Sequence, residues 1–244
     1  MPIPGLLAQL TAEARPRLTW YSGAERVELS GQVLDNWVTK IANFLVEEYE
    51  AGPGTRVQLD LPVHWRSVVW ALAAWRVGAC IAPSPKGRVH VVVTDRPADA
   101  TDRAVVALGL PALARTYDGE LPAGVVDATS AVLGYGDVLT WMPEPDPLGP
   151  ALELTARTVM HRSLLDWGQD VLTRAGGAEP GARALVEATD QRADLTDVLG
   201  AVLAVYAGNG SVVLRGADGG EDDAARAHLA QTERVTATLA VRAG

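Results

Sequence analysis

The segment from Ser30 to Pro83, SGQVLDNWVTKIANFLVEEYEAGPGTRVQLDLPVHWRSVVWALAAWRVGACIAP, predicts a helix, a strand, a second helix and a second strand. Ser30 is a good N-cap, and the apolar residues after it recur at the three- and four-residue spacing of one helical face. The glycine and proline residues of segment 51–55 end this first helix. Strand 56–62, helix 64–77 and strand 79–83 follow, and a unit of this kind forms a right-handed parallel crossover.

Helix 64–77 carries apolar residues on more than one face, among them Trp65, Trp70 and Trp75. A helix with this pattern is covered on most sides, which places it inside the protein. A hairpin of strands 18–21 and 26–29 precedes the segment, and residues 1–17 contain an amphipathic capping helix.

The rest of the chain continues with alternating strands and helices, separated by glycine and proline. A proline-rich surface loop at 142–150 divides two such series. The strands are predicted at 89–94, 114–117, 125–126, 151–155, 183–188, 211–215 and 235–241. The helices are predicted at 100–108, 159–174, 194–207 (with Asp194 as its cap) and 222–232.

This order predicts an α/β fold with mainly parallel sheets flanked by helices, in αβαβα-like layers. We divide the chain into a first α/β half with the N-terminal helix and hairpin, residues 1–147, and a second α/β half, residues 148–244. The second half is expected to pack on the first, so that both form one compact unit.

Composition excludes several classes of function. The net charge of -9 and the absence of a basic stripe argue against nucleic-acid binding. No apolar run approaches the roughly 20 residues of a membrane-spanning helix, and the N-terminus lacks the basic start of a signal peptide. The single cysteine, Cys80, lies in a predicted buried strand and has no partner for an internal disulfide, so we expect a cytoplasmic protein.

Four segments carry a resemblance to a known family. The hairpin, the long helix after Ser30, PGTRVQLDLP (53–62) and WALAAWRVGACIAP (70–83) occur in the order found at the start of the N-terminal domain of adenylate-forming enzymes. This superfamily contains the acyl-CoA synthetases, the luciferases and the peptide-synthetase adenylation domains. A looser resemblance covers residues 150–241, through HRSLL (161–165), GARALV (181–186), GNGSVVL (208–214) and ERVTATL (233–239).

The resemblance implies an ATP phosphate loop that this chain lacks. In the family, a Ser/Thr/Gly-rich loop ending in Pro-Lys-Gly joins a strand to the helix that begins near His-Arg-Ser-Leu-Leu, and its N–H groups hold the phosphates. Here only residues 156–159 separate strand 151–155 from the sequence that starts at Met160, and Thr155 is the first surviving residue of the loop. Losing one preorganised donor typically costs about 100- to 1000-fold in rate, so loss of the loop should abolish adenylation.

Two further departures agree with this interpretation. Thr189-Asp-Gln-Arg-Ala193 stands where many family members have a His-rich substrate motif. The segments that hold adenine and ribose, and the C-terminal domain with its catalytic lysine, would follow Gly244. We therefore transfer no catalytic and no cofactor-binding residue from the family.

Four residues remain as weak binding candidates: Thr155, His161, Arg162 and Ser163. His161 is either a catalytic histidine or a half-exposed remnant of the family sequence. The four histidines show no metal-ligand spacing, and the chain has neither a Gly-x-Ser-x-Gly elbow nor a Walker loop. We therefore predict no metal site and no cofactor.

Three functions fit these observations. The first is a catalytically incompetent relative that binds a protein or a small acyl or aromatic molecule. We expect it to form a homodimer or a stable complex, because later chain covers the corresponding faces in the family and bare strand edges pair. The second is half of a split acyl-CoA synthetase-like ligase that another chain completes. The third is an unrelated hydrolase or transferase on a trimmed α/β scaffold.

Overall fold

The computed structural model describes residues 1–83, 87–97, 103–139, 141–216 and 223–242. Its helices within these ranges are α1 (Ile3–Thr11), α2 (Gly31–Tyr49), α3 (Trp65–Arg76), α4 (Ala128–Ala131), α5 (Leu164–Arg174), α6 (Leu195–Ala207) and α7 (Asp223–Thr232). Two 3-10 turns lie at Val132–Gly134 and His161–Ser163. None of the helices described has the length and apolar content needed to cross a membrane.

Twelve strands are found in the described part of the chain. In chain order they are β1 (Pro16–Ser22), β2 (Glu25–Ser30), β3 (Arg56–Asp60), β4 (Cys80–Ile81), β5 (Val91–Thr94), β6 (Ala104–Ala107), β7 (Val126–Asp127), β8 (Pro150–Glu153), β9 (Thr158–Met160), β10 (Arg183–Ala188), β11 (Ser211–Arg215) and β12 (Ala237–Val241). They form a five-stranded sheet in the order β12-β10-β11-β1-β2 and a seven-stranded sheet in the order β7-β6-β5-β3-β4-β8-β9.

Both sheets are mainly parallel, and only the edge strands β2 and β9 run antiparallel to their neighbours. The predicted α/β class is therefore confirmed. The crossover through α3 is confirmed too, because β3 pairs in parallel with β4, with Arg56 opposite Cys80. Each sheet takes strands from both sides of residue 147: β1 and β2 join β10 to β12, and β8 and β9 join β3 to β7.

Two central helices form as the sequence predicts. The Ser30 hydroxyl accepts a hydrogen bond from the Val33 N–H at 3.3 Å and so caps α2. Glu50, in the left-handed conformation, ends this helix. Every residue of α3 from Trp65 to Trp75 is buried, which confirms that this helix is covered on all sides.

His64 caps α3 from within the core. Its Nδ1 accepts a hydrogen bond from the Arg66 N–H at 3.1 Å, and its ring packs edge-on against Trp20 at 4.2 Å between centroids. The side chain is 3% exposed. Burial, with a smaller contribution from the Arg66 charge, lowers the pKa of His64 to about 3.

We expect this histidine to make folding stability depend on pH. The pKa of His64 is about 3 in the folded chain and about 6.5 in the unfolded chain, so only the unfolded chain takes up a proton between these values. The contribution of His64 to the free energy of unfolding is complete above pH 6.5 and is lost as the pH falls toward 3, at about 1.4 kcal/mol per pH unit. Urea unfolding at pH 7, 5.5 and 4.5 measures this change in the free energy of unfolding. In His64→Asn, which keeps a capping oxygen, this part of the slope should disappear. Parallel pH curves for both proteins would contradict the assignment.

Two predicted elements in the middle of the chain are wrong. Residues 104–107, predicted as the end of helix 100–108, form β6, while residues 100–102 lie outside the described residues. The apolar run Ala-Val-Val-Ala fits a buried strand or a buried helix equally, and parallel pairing with β5 decides for the strand. Residues 114–117 form no strand, because the Tyr117 N–H donates to the Asp127 carboxylate at 3.0 Å instead of to a ladder.

Two predicted helix starts are also corrected. The helix predicted from residue 159 begins at Leu164, because Val159 pairs with Leu152 in β9 and a 3-10 turn follows. Asp194 precedes α6 but its side chain does not cap that helix. Its carboxylate accepts hydrogen bonds from the N–H groups of Thr189 and Asp190, both at 2.8 Å, and so closes the loop before α6.

Candidate functional site

A tight hairpin stands at the position of the expected phosphate loop. Strands β8 and β9 pair in antiparallel fashion, with Glu153 opposite Thr158. The Leu154 N–H donates to the Arg157 carbonyl at 2.8 Å, which leaves only Thr155 and Ala156 between the paired residues. The strand and the helix that should flank a phosphate loop are thus joined by a two-residue turn, a short strand and a 3-10 turn.

This hairpin forms one wall of a cleft that we call the seam cleft. The cleft has a volume of about 370 Å³ and is lined, among others, by Pro83, Glu153, Thr155, Arg157, Trp167 and Asp197. It adjoins a cavity of about 140 Å³ that extends to Asp60 and Arg192 and shares Pro83, Ala193 and Thr196 with it. Both lie beyond the carboxyl ends of the parallel strands β3 and β4, where α/β sheets bind their ligands.

The seam cleft is lined by both apolar and charged side chains. Pro83 and Leu154 supply apolar lining, to which Trp167, 3% exposed, adds only an edge. Around them lie the exposed cation Arg157 and an ion pair of Arg174 with Asp197 at 3.7 Å. The described lining residues include no histidine, cysteine or lysine, and the two carboxylates among them, Glu153 and Asp197, each form an ion pair with an arginine. The arrangement can hold a small organic molecule.

A group of ion pairs, which we call the Arg192 bridge, lies at the adjoining cavity of about 140 Å³. Arg192 Nη2 donates to both Asp95 carboxylate oxygens, at 2.9 and 2.7 Å, and Nη1 lies 3.4 Å from Asp60 Oδ1. Asp60 also accepts from Thr94 Oγ1 at 2.9 Å and from Arg96 Nη2 at 3.0 Å. The bridge ties the loop before α6 to the carboxyl ends of β3 and β5.

The sequence did not reveal this bridge. Arg192 was noticeable only as part of Thr189–Ala193, the segment that departs from the family pattern. Its partners Asp95 and Asp60 lie 97 and 132 residues away in the chain. No local spacing rule connects residues at such a distance, so only the folded arrangement of β3, β5 and α6 brings them together.

We expect the Arg192–Asp95 contact to stabilise the fold measurably. In a double-mutant cycle of Arg192→Met and Asp95→Asn, the bidentate contact should give a coupling energy of about 1–2 kcal/mol by urea unfolding. The matched control is Arg174 with Asp197, where a single 3.7 Å approach should couple by less than about 0.5 kcal/mol. Equal coupling energies in the two cycles would show that the bridge is an ordinary surface pair.

The four candidate residues from the sequence do not converge on one site. Thr155 lines the seam cleft. His161 and Arg162 line a separate cleft of about 470 Å³ beside Trp75, and Ser163 lies between them and α5 without capping that helix. Burial lowers the pKa of His161, while the charge of Asp146 and the backbone of Gly78 oppose this effect. The described residues contain no group of three or more His, Cys, Asp or Glu that could hold a metal ion.

Comparison with known proteins supports the fold. No family model matches the chain. A "TIGR03089 family protein" of Mycobacterium tuberculosis is 38% identical over 148 residues, which cover 56% of this chain and 59% of that protein. The acyl-CoA synthetase of Brucella canis superposes with a TM-score of 0.72 at 19% identity, over 98% of this chain and 47% of that one.

Two further solved structures show the same likeness. The amide bond synthetase McbA of Marinactinospora thermotolerans gives a TM-score of 0.62 at 17% identity, over 97% of this chain and 48% of that one. The nonribosomal peptide synthetase FmoA3 gives 0.63 at 20% identity, over 97% of this chain and 25% of that one. The chain thus spans about half the length, or less, of the chains in these solved structures. Its fold is that of the N-terminal domain of adenylate-forming enzymes, as the sequence resemblance predicted.

Proposed function

We propose that this protein is a catalytically incompetent relative of the adenylate-forming enzymes, without the ATP phosphate loop, and that it acts by binding a protein or a small ligand. The observation that carries the proposal is the two-residue turn of Thr155 and Ala156 between β8 and β9. By the sequence resemblance, this turn corresponds to the segment where the family has its phosphate loop.

The turn is too short for the chemistry of adenylation. Transfer of an adenylyl group needs several preorganised donors around the phosphates of ATP, because charge builds up there in the transition state. Strand β8 is paired on both sides, with β4 and with β9, and the Leu154 N–H is engaged across the turn. Two residues cannot surround a triphosphate, so we expect neither tight ATP binding nor turnover.

The seam cleft remains as a ligand site under this proposal. Its volume of about 370 Å³ lies within the range of small-molecule sites, and Pro83, Leu154 and the edge of Trp167 form its apolar lining. An acyl or aromatic molecule fits this lining best, because its apolar part packs on Pro83 and Leu154 while the exposed Arg157 is available to a polar group.

Titration calorimetry on the purified protein tests both parts. We expect no heat with ATP or AMP, and saturable heat with a small aromatic acid such as naphthoic acid. Ala193→Trp, which fills the boundary between the seam cleft and its neighbouring cavity, should abolish that heat, whereas the exposed Ala227→Trp should not. Stoichiometric ATP binding would contradict the proposal that the protein is catalytically incompetent. Aromatic-acid binding that survives Ala193→Trp would contradict the proposal that the seam cleft binds the ligand.

The alternative is half of a split acyl-CoA synthetase-like ligase. The solved acyl-CoA synthetase matches this chain over 47% of its own length, which leaves room for a second chain in such an arrangement. The hairpin makes this alternative harder, because the second chain would have to insert phosphate-binding groups between β8 and β9. ATP-dependent pyrophosphate exchange that appears only with a second chain would favour it.

Association is part of the proposal. A protein that acts without catalysis acts through what it binds, and we propose a homodimer or a stable complex with another protein. A cytoplasmic location stays a prediction from the sequence.

A further inference from the structure

Two large apolar side chains are presented to solvent by one loop. Val138 is 70% exposed and Trp141 is 66% exposed. We call residues 135–139 and 141–146 the Trp141 loop. Val138 and Trp141 are three residues apart, so their Cα atoms lie within about 11 Å of each other. A loop that exposes two large apolar side chains is a candidate interaction site.

The first part of the Trp141 loop is fixed on α2. Asn43 Nδ2 donates to the carbonyls of Gly136 and Val138, at 3.0 and 3.1 Å, and Lys40 Nζ donates to the Tyr135 carbonyl. The Tyr135 ring packs edge-on against Phe44 at 5.5 Å. The backbone around Val138 is therefore fixed on α2 through the carbonyls of Gly136 and Val138 itself.

The second part of the loop is fixed on two glycines. A Cβ added at Gly52 would lie 3.0 Å from the Pro143 ring, and one added at Gly78 would lie 3.3 Å from the Pro145 Cα. Prolines at these positions also restrict the backbone. A partner that binds Trp141 thus meets a loop whose two described parts already contact the body of the protein, and such preorganisation reduces the entropy cost of binding.

The surroundings of the loop are acidic. Tyr135 donates to Glu48 Oε1 at 2.5 Å, and burial together with Glu48 and Glu47 raises the pKa of Tyr135. Asp137, Glu144 and Asp146 in the loop itself are exposed. Two cations also lie here: Lys40 is directed at the Tyr135 carbonyl, and the exposed Arg162 lines the cleft of about 470 Å³ together with Glu144 and Pro145. The carboxylates outnumber them.

The negative charge around the Trp141 loop decides which kind of partner can bind there. An anionic membrane surface would be repelled, and a second copy of the chain would bring the same acidic surface against itself. A partner with basic residues around an apolar pocket would be attracted, since complementary charge both steers and orients association. Tryptophan in a well-defined pocket is the typical centre of such an interface.

We propose that the Trp141 loop docks a second protein that offers an apolar pocket rimmed by lysine and arginine. The proposal rests on the non-catalytic binding role argued above and specifies the partner. It uses a surface outside the seam cleft, so nucleotide and ligand titrations cannot decide it. Conversely, failure at the Trp141 loop would leave the result for the seam cleft unchanged.

Fluorescence anisotropy with two labelled peptides tests the proposal on the full chain. One probe is an amphipathic peptide of leucine and lysine, and the other has glutamate in place of lysine. We expect saturable binding of the lysine peptide, weakened by salt. Trp141→Ala should reduce its affinity by at least about tenfold, equivalent to about 1.4 kcal/mol. Leu113→Ser, at a site 90% exposed elsewhere, should leave the affinity unchanged.

Two double variants, each of which removes two exposed negative charges, distinguish the effect of charge at the Trp141 loop from the effect of the protein's overall charge. Asp137→Asn with Glu144→Gln should weaken binding of the lysine peptide more than Asp118→Asn with Glu120→Gln, although both pairs remove two exposed charges. Equal losses in these two variants, no binding of the lysine peptide, equal binding of the glutamate peptide, or unchanged affinity in Trp141→Ala would each overturn the proposal. Self-association or binding to anionic vesicles that depends on Trp141 would also overturn it, in favour of those occupants.

Discussion

Gly168→Val is expected to destabilise the protein by about 3 kcal/mol. Helices α5 and α6 approach each other through two glycines, and a Cβ at Gly168 would lie only 2.8 Å from the Gly200 carbonyl oxygen. A Cβ at Gly200 would in turn lie 2.9 Å from a Val171 methyl group. Overpacking of a close contact typically costs about 1–3 kcal/mol, and backbone atoms cannot rotate away as a side chain can.

This contact also positions the seam cleft. Trp167, the residue before Gly168, lines the cleft from α5, while Thr196 and Asp197 line it from α6. A shift of α5 away from α6 would separate these walls. We therefore expect Gly168→Val to lose ligand binding in the cleft even where a fraction of the protein stays folded.

Urea unfolding measures the change in stability, and Gly134→Val is the matched control. An added Cβ at Gly134 meets no atom within 4 Å, so its change should stay within about 0.5 kcal/mol. If both variants unfold at the same urea concentration as the parent protein, the close contact between α5 and α6 is not structurally important.

The fold was largely predictable because local signals agreed with it. Ser30 and the apolar spacing after it fixed α2, and strands β10 and β11 have the bounds that the sequence predicts. Prediction failed where a short apolar run fits two structures. Residues 104–107 became a strand only because β5 offers a parallel neighbour, and Val159 joined a strand because Leu152 lies opposite.

The candidate site was less predictable than the fold. The sequence showed that few residues separate 151–155 from Met160. In the structure this short connection forms a hairpin with Thr155 in its turn. The sequence did not show that His161 and Arg162 lie in another cleft, or that Arg192 reaches two carboxylates. Such contacts depend on how the two sheets lie against each other, and no spacing within the chain encodes that.

Arg17→Met is expected to cost about 4 kcal/mol, the largest loss that we predict. The Arg17 side chain is fully buried, and its guanidinium donates to the carbonyls of Leu10, Asn209 and Gly210 at 3.1, 2.9 and 3.2 Å. Leu10 lies in the last turn of α1, and the other two residues follow α6, so the cation lies at the negative ends of two helix dipoles.

The loss should be large because methionine takes the guanidinium donor away from the buried carbonyls of Leu10 and Gly210. The Asn209 carbonyl keeps a hydrogen bond from Arg15 Nη2. A buried polar group without a partner typically costs about 1–3 kcal/mol, and two carbonyls here lose this donor together. Burial, with the neighbouring Arg15 charge, lowers the pKa of Arg17, so the carbonyls and helix ends are what make the buried cation tolerable.

Urea unfolding of three variants tests this account. Arg17→Lys should recover only part of the loss, because an ammonium group cannot reproduce the planar fork that reaches both helix ends. Arg226→Met, at a position 51% exposed on α7, should change the free energy of unfolding by less than about 0.5 kcal/mol. If Arg17→Met proved as stable as the parent protein, apolar packing would suffice to join α1 to the end of α6. The three hydrogen bonds would then contribute no net stability.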